Sequence, residues 1–132
     1  MFLFHPLTTH FPIALWLVSF LFDLLSWRRR NPLYDTIALY LIGLGLLAAP
    51  LTIATAWADY LRLLREGVGR PFMNVHSVHS FLSYGTTAFY LASFLLRWRA
   101  SLTGPARLAL GIGGAILISA TGWFGGELLR TM

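Results

Sequence analysis

The stretch TIALYLIGLGLLAAPLTIATAWA, residues 36–58, decides the fold: it carries no charged side chain between Asp35 and Asp59. A bilayer core about 30 Å thick is crossed by about 20 apolar residues in helical form, so this segment is long enough to span one. Working outward, three more runs of similar length and character appear. The expected helices cover about residues 6–27, 35–58, 75–96 and 108–128. Prolines fall where helices tolerate them, with Pro6 and Pro12 near the start of the first and Pro32 and Pro105 in connections. Pro50 lies inside the second and is expected to kink it.

Composition agrees. Of 132 residues 57% are hydrophobic and 11% charged, with no cysteine and a mean hydropathy of +0.67. A soluble domain carries roughly 25% charged residues. Too little polar surface remains for a soluble enzyme, a disordered chain or a nucleic-acid-binding module. Lipid cannot satisfy an open sheet edge, so the expected fold is all-α: an integral membrane, antiparallel four-helix bundle forming one domain over residues 1–132. The connections 28–34 and 97–107 are short enough to join antiparallel neighbours. The longer 59–74 segment, with Leu61, Leu63, Leu64 and Phe72, is expected to carry a short interfacial helix.

All ten basic residues are arginines, giving a net charge of +5. They flank the apolar runs, where arginine anchors helices among lipid headgroups rather than nucleic-acid phosphates. Six lie in the two short connections and four on the opposite side, so the positive-inside rule places both termini outside the cytoplasm. The first segment lacks a basic start and a cleavage site, which makes it a poor signal peptide. Asp23 and Arg28 are expected to pair at the cytoplasmic end. Trp27, Trp57, Trp98 and Trp123 sit near helix ends as an aromatic belt.

In this topology all four histidines fall on one side. His5 and His10 open the first helix, and His76 and His79 open the third. Asp59 ends the second helix and Glu127 the fourth, so both carboxylates reach the same layer. Ionisable residues gathered inside a bundle at membrane depth are functional candidates. His5 and His10 are five residues, about 140°, apart on a helix; both converge only if the helix starts near Pro6 with His5 outside it. His10 and His79 are then the inward pair, able to occupy both axial positions of a haem b iron. Arg70 and Arg130 are placed to pair with the haem propionates. Alternatively, His5, His10, His76 and His79 with Asp59 or Glu127 hold a Zn, Cu or Fe ion. A structural role remains open beside both: interfacial hydrogen bonding of the histidines, capping by Asp59, and a Glu127–Arg130 pair. Gly111, Ala115, Gly122 and Gly126, with Gly113, Gly114 and Gly125 beside them, either pack a neighbouring helix closely or leave room for a flat macrocycle. No nucleophile–base arrangement stands out, with Ser77 and Ser80 merely adjacent to histidines.

The opening His5-Pro6-Leu7-Thr8-Thr9-His10-Phe11-Pro12-Ile13-Ala14-Leu15 resembles the HPxxxHFPxAL start of a bacterial four-helix membrane family catalogued as a domain of unknown function, number two-two-three-one. Thr55-Ala56-Trp57-Ala58-Asp59-Tyr60 resembles its TGxxDW/Y segment, with Ala56 in place of glycine. His79 resembles the start of its HxxxN segment, with Ser83 at the asparagine position, and Gly122-Trp123-Phe124-Gly125-Gly126-Glu127-Leu128 resembles its closing GWxGGEL. The resemblance covers essentially the whole chain. It implies a multi-pass protein of the bacterial inner membrane with a shared site drawing on His5, His10, Asp59, His79 and Glu127. The chain departs at Leu129-Arg130-Thr131-Met132, where the family often continues with a Tyr-Arg-His-Gly run, and His76 is the candidate to stand in for that histidine. The family carries no assigned activity. The residues therefore lead to a b-type cytochrome-like electron-transfer subunit of a larger membrane complex, a metal-ion site protein, or a non-catalytic accessory subunit of a respiratory or photosynthetic assembly.

Overall fold

The computed structural model describes residues 4–131, which form four helices and no strand among the described residues. They are α1 (His5–Arg29), α2 (Pro32–Glu66), α3 (Arg70–Arg99) and α4 (Gly104–Thr131). Local chemistry fixes their ends. Proline occupies the first turn of α1, α2 and α3, where its missing N–H costs nothing. The Asn31 side chain caps α2 by accepting the Leu33 N–H at 3.0 Å. Gly67 closes α2 in the left-handed region, with φ 84°, a conformation glycine adopts without steric cost. Arg30 closes α1 in the same region, with φ 51°.

The helices form a ring in chain order, α1–α2–α3–α4–α1, with α1 opposite α3 and α2 opposite α4. Contact is most extensive between α1 and α2 and sparsest between α2 and α3. The 59–74 segment holds no separate interfacial helix. Instead α2 runs on to Glu66 and α3 begins at Arg70, since Leu61, Leu63 and Leu64 continue the helical register of α2 up to the Gly67 stop. Helix α2 also continues through Pro50.

Three helices, α1, α2 and α4, are long and apolar enough to cross a membrane. Helix α3 is as long but less apolar, because His76, His79, Ser83, Thr86 and Ser93 lie on its inner side, buried or half-buried. Its Val78, Phe81, Leu91, Leu95 and Leu96 are exposed instead. The four belt tryptophans are exposed as well, between 49% and 70%.

At mid-height each helix contributes one residue to a buried layer: Trp16, Ile42, Tyr90 and Ile118. The Trp16 and Tyr90 rings stack with centroids 4.1 Å apart and planes 14° from parallel. The indole of Trp16 donates to the Ile42 carbonyl at 3.2 Å and passes so close to Gly45 that a Cβ there would collide with it. This layer separates a histidine end from an arginine end.

At the arginine end Asp23 does not meet Arg28. Both its carboxylate oxygens accept from Arg97 of α3, at 2.6 and 2.9 Å, and both side chains are almost wholly buried. Asp23 lies on the inward face of α1, one turn below Ser19, and so points at the neighbouring helices, whereas Arg28 is exposed. A second pair, Arg107–Asp35 at 2.5 Å, lies beside the first. The two pairs are joined through the Arg107 carbonyl, which accepts from Arg97 at 3.1 Å.

A histidine-lined cavity as candidate functional site

Above the aromatic layer the bundle opens into a cavity of about 370 Å³ lined by all four helices. Trp16 and Ile118 are shared between the layer and the cavity wall. Its polar lining includes His5, Asp59, His76, His79, Ser83 and Thr121.

The helical register of α1 decides which histidine turns inward. The buried positions of this helix are Pro12, Trp16, Ser19 and Asp23. At about 100° per residue His5 falls in phase with them, and His10 points about 150° away. The helix starts at His5 itself, so the expected arrangement is reversed: His5 is half-buried, while His10 is exposed at the cavity rim. His5, not His10, meets His79, with ring centroids 6.1 Å apart and planes at 74°.

Three histidines share one feature. His5 Nδ1 lies 3.0 Å from the Thr52 carbonyl, His10 Nδ1 2.6 Å from that of Pro6, and His79 Nδ1 3.1 Å from that of Thr121. A carbonyl oxygen only accepts, so in each neutral ring the proton sits on Nδ1 and Nε2 keeps a free lone pair. Imidazoles that serve as metal ligands are oriented in this way, by a hydrogen bond from the other ring nitrogen. His79 Nε2 has only the Ser83 hydroxyl near it, at 3.4 Å. The Ser83 hydroxyl donates to the His79 carbonyl at 2.7 Å, and a Cβ at Gly125 would stand 3.1 Å from the His79 ring. His76 is placed differently: its ring stacks on Tyr60, centroids 4.2 Å apart, and on Phe72 at 5.6 Å.

Asp59 is 4% exposed. Its Oδ2 accepts the backbone N–H of His5 at 2.7 Å, so α2 caps the free N-terminus of α1. Its Oδ1 is buried without a hydrogen-bond partner. Around it Thr8 and Thr55 share a hydroxyl contact of 2.8 Å, and Thr52 donates to the Thr8 carbonyl at 3.2 Å. These threonines, together with the carbonyls that fix the histidines, are neighbours of the candidate site that histidine and carboxylate spacing does not single out. Their sequence signals are the place of Thr55 at the head of the TGxxDW/Y-like segment and the recurrence of threonine at 52 and 55 opposite 8 and 9.

Glu127, Arg70 and Arg130 do not line the cavity. Glu127 pairs with Arg130 at 3.0 Å on the surface, and Arg70 is exposed at the start of α3. Among the described residues no group of three or more His, Asp or Glu is placed to hold a metal ion. The glycines of α4 divide in two. Gly111 and Gly114 are filled by the side chains of Asp23 and Tyr90, whereas Gly122 and Gly126 face open space and line the cavity.

The chain matches no curated protein and no solved structure. One family model matches residues 3–132, nearly the whole chain. The protein therefore belongs to the family described as "Predicted membrane protein (DUF2231)".

Proposed function

We propose that the cavity holds one b-type haem between His5 and His79, and that the protein is a membrane-bound electron carrier working with a larger membrane complex. The observation that carries this reading is the His5–His79 pair. The two rings stand with centroids 6.1 Å apart, near the spacing of about 6 Å that two imidazoles would take on opposite sides of one metal ion bound at about 2.0 Å. A haem iron can be held by as few as one or two protein side chains, whereas a closed ion site needs about four protein ligands. No such set is gathered among the described residues, which favours haem over a bare Zn, Cu or Fe ion. The cavity, at about 370 Å³, lies near the lower end of the roughly 300–1,000 Å³ range of organic-ligand sites.

When bound, haem supplies a reversible one-electron couple. The chain does the rest. The Thr52 and Thr121 carbonyls hold both ligand tautomers, the Trp16–Tyr90 layer seals the cavity from below, and Gly122 and Gly126 leave space beside His79. Six arginines against four favour the extracytoplasmic face for this end by the positive-inside rule.

Absorption spectra of protein purified from haem-replete cells test the reading. A Soret band that shifts on dithionite reduction is expected. It is lost in His5→Ala and in His79→Ala, and retained in His10→Ala. Absence of the band overturns the proposal, and stoichiometric Zn, Cu or Fe without haem would replace it with the ion site.

A further inference from the structure

The cavity is closed at its outer end as well as at its floor. Leu63 and Phe72 lie beyond the histidines toward the end of the bundle, both buried, and the Tyr60 and Phe72 rings stack on His76. The seams between neighbouring helices are tied at the same height. Asp59 holds the His5 N–H and Thr8 meets Thr55 between α1 and α2. The Trp57 indole donates to the Tyr84 hydroxyl at 3.0 Å between α2 and α3. The Thr86 and Thr121 hydroxyls meet at 2.9 Å between α3 and α4.

The α1–α4 seam changes along its length. Toward the arginine end it is shut, with Phe20 and Asp23 filling the space at Gly111 and Trp27 lying 3.6 Å from where a Cβ at Gly104 would stand. At about 100° per residue, Ile13 and Thr9 continue this face of α1 outward from Phe20. There both residues line the cavity, and Gly122 and Gly126 of α4 would have nothing within 4 Å of a Cβ. These two glycines are exposed and line the cavity, as do the exposed His10 and Leu129. With a rise of 1.5 Å per residue, Gly122 and Gly126 stand about 6 and 12 Å from Ile118 of the central layer. That depth is within the half-thickness, about 15 Å, of a bilayer core, so the opening faces lipid chains.

We propose that the α1–α4 seam is a lateral window through which the cavity takes its ligand from the lipid phase, so that the ligand is a membrane-dissolved molecule and not one captured from water. For the identity of that ligand, haem, the inference rests on the reading above. The window itself rests on the closed outer end, the tied seams and the open glycines. Gly122 and Gly126, one turn apart, present bare backbone, which leaves a slot for a flat molecule to pass edge-on. His10 stands at the mouth with its Nδ1 engaged by the Pro6 carbonyl at 2.6 Å, so its Nε2 lone pair is free. It is the first imidazole an entering ligand meets, ahead of His5 and His79 inside.

The chain contains no cysteine, so single replacements report access without background. Ser83→Cys, in the cavity wall, and Ala88→Cys, exposed on α3, are placed in the full ligand-free chain in liposomes. Each is treated with a lipid-dissolved pyrene maleimide or with a sulfonated maleimide confined to water. The pyrene reagent is expected to label both positions and the sulfonated reagent neither. Adding Gly122→Phe or Gly126→Leu to Ser83→Cys abolishes its pyrene labelling, whereas Gly85→Phe, exposed on α3, leaves it. Labelling of Ser83→Cys by the sulfonated reagent overturns the window, as does its failure to react with the pyrene reagent or full reaction with either glycine filled. Haem supplied in the lipid raises the Soret band more slowly in His10→Ala than in wild type, to the same final height, and equal rates overturn the part given to His10. The labelling pattern without any Soret band keeps the window and removes haem, so the two readings fail separately.

Discussion

The two ends of this bundle use the same kinds of residue to opposite effect. At the arginine end, Asp23 has both oxygens bonded, Asp35 is bonded by Ser26 and Arg107, and glycine at 111 lets the carboxylate pack against α4. At the histidine end, imidazole Nε2 atoms and one oxygen of Asp59 are left without strong partners around a cavity, and the glycines at 122 and 126 face space. Desolvating charge is costly and is compensated only by close, fully bonded partners. The first end meets that condition with protein alone. The second leaves part of its bonding capacity unused, and that difference is the ground for proposing a site there and not at the arginine end.

The largest effect expected from breaking this contrast is at Arg97. Arg97→Ala leaves Asp23 buried and uncompensated, a loss of about 3–5 kcal/mol readable as a lower denaturation midpoint in detergent. His79→Ala at the other end is expected to cost far less, and equal losses would erase the distinction. Next come the glycines. Gly45→Ala drives a methyl into the Trp16 indole, with a loss of about 1–3 kcal/mol, whereas Gly122→Ala meets nothing within 4 Å and gains about 0.5–1 kcal/mol from helix propensity. A loss at Gly122 as large as at Gly45 would show that the cavity is packed shut. The smallest effect belongs to the surface pair. Arg130→Ala removes its 3.0 Å contact with Glu127 and changes stability by about 0–1 kcal/mol, with no change in the absorption proposed for the His5–His79 site.

Much of the fold is written in the apolar runs, because spanning length and the absence of charge are local properties. The helix ends are less legible. Leu61, Leu63 and Leu64 read equally well as a separate interfacial helix or as the continuation of α2, and only the Gly67 stop separates the two. The site was half legible: grouping the histidines and Asp59 needs only the antiparallel topology. Choosing His5 over His10 needs the start of α1, and one residue of register turns a side chain by about 100°. Arg97 as the partner of Asp23 lies 74 residues away, beyond the reach of local pairing arguments, which favour Arg28. The polar inner face of α3, with His76, His79, Ser83, Thr86, Tyr90 and Ser93, is present in the sequence as a regular three- and four-residue recurrence, which a reading by apolar run length passes over.

The bond between Asp59 and position 5 runs to the main-chain N–H and not to the imidazole. Any residue but proline can therefore keep the cap that fastens α1 to α2. The side chain at position 5 is consequently free to be exchanged for its chemistry alone. Anchoring through the main chain and the ligation proposed for the side chain are therefore separable at a single residue, and a series of replacements at position 5 tests the proposal without disturbing how the helix begins.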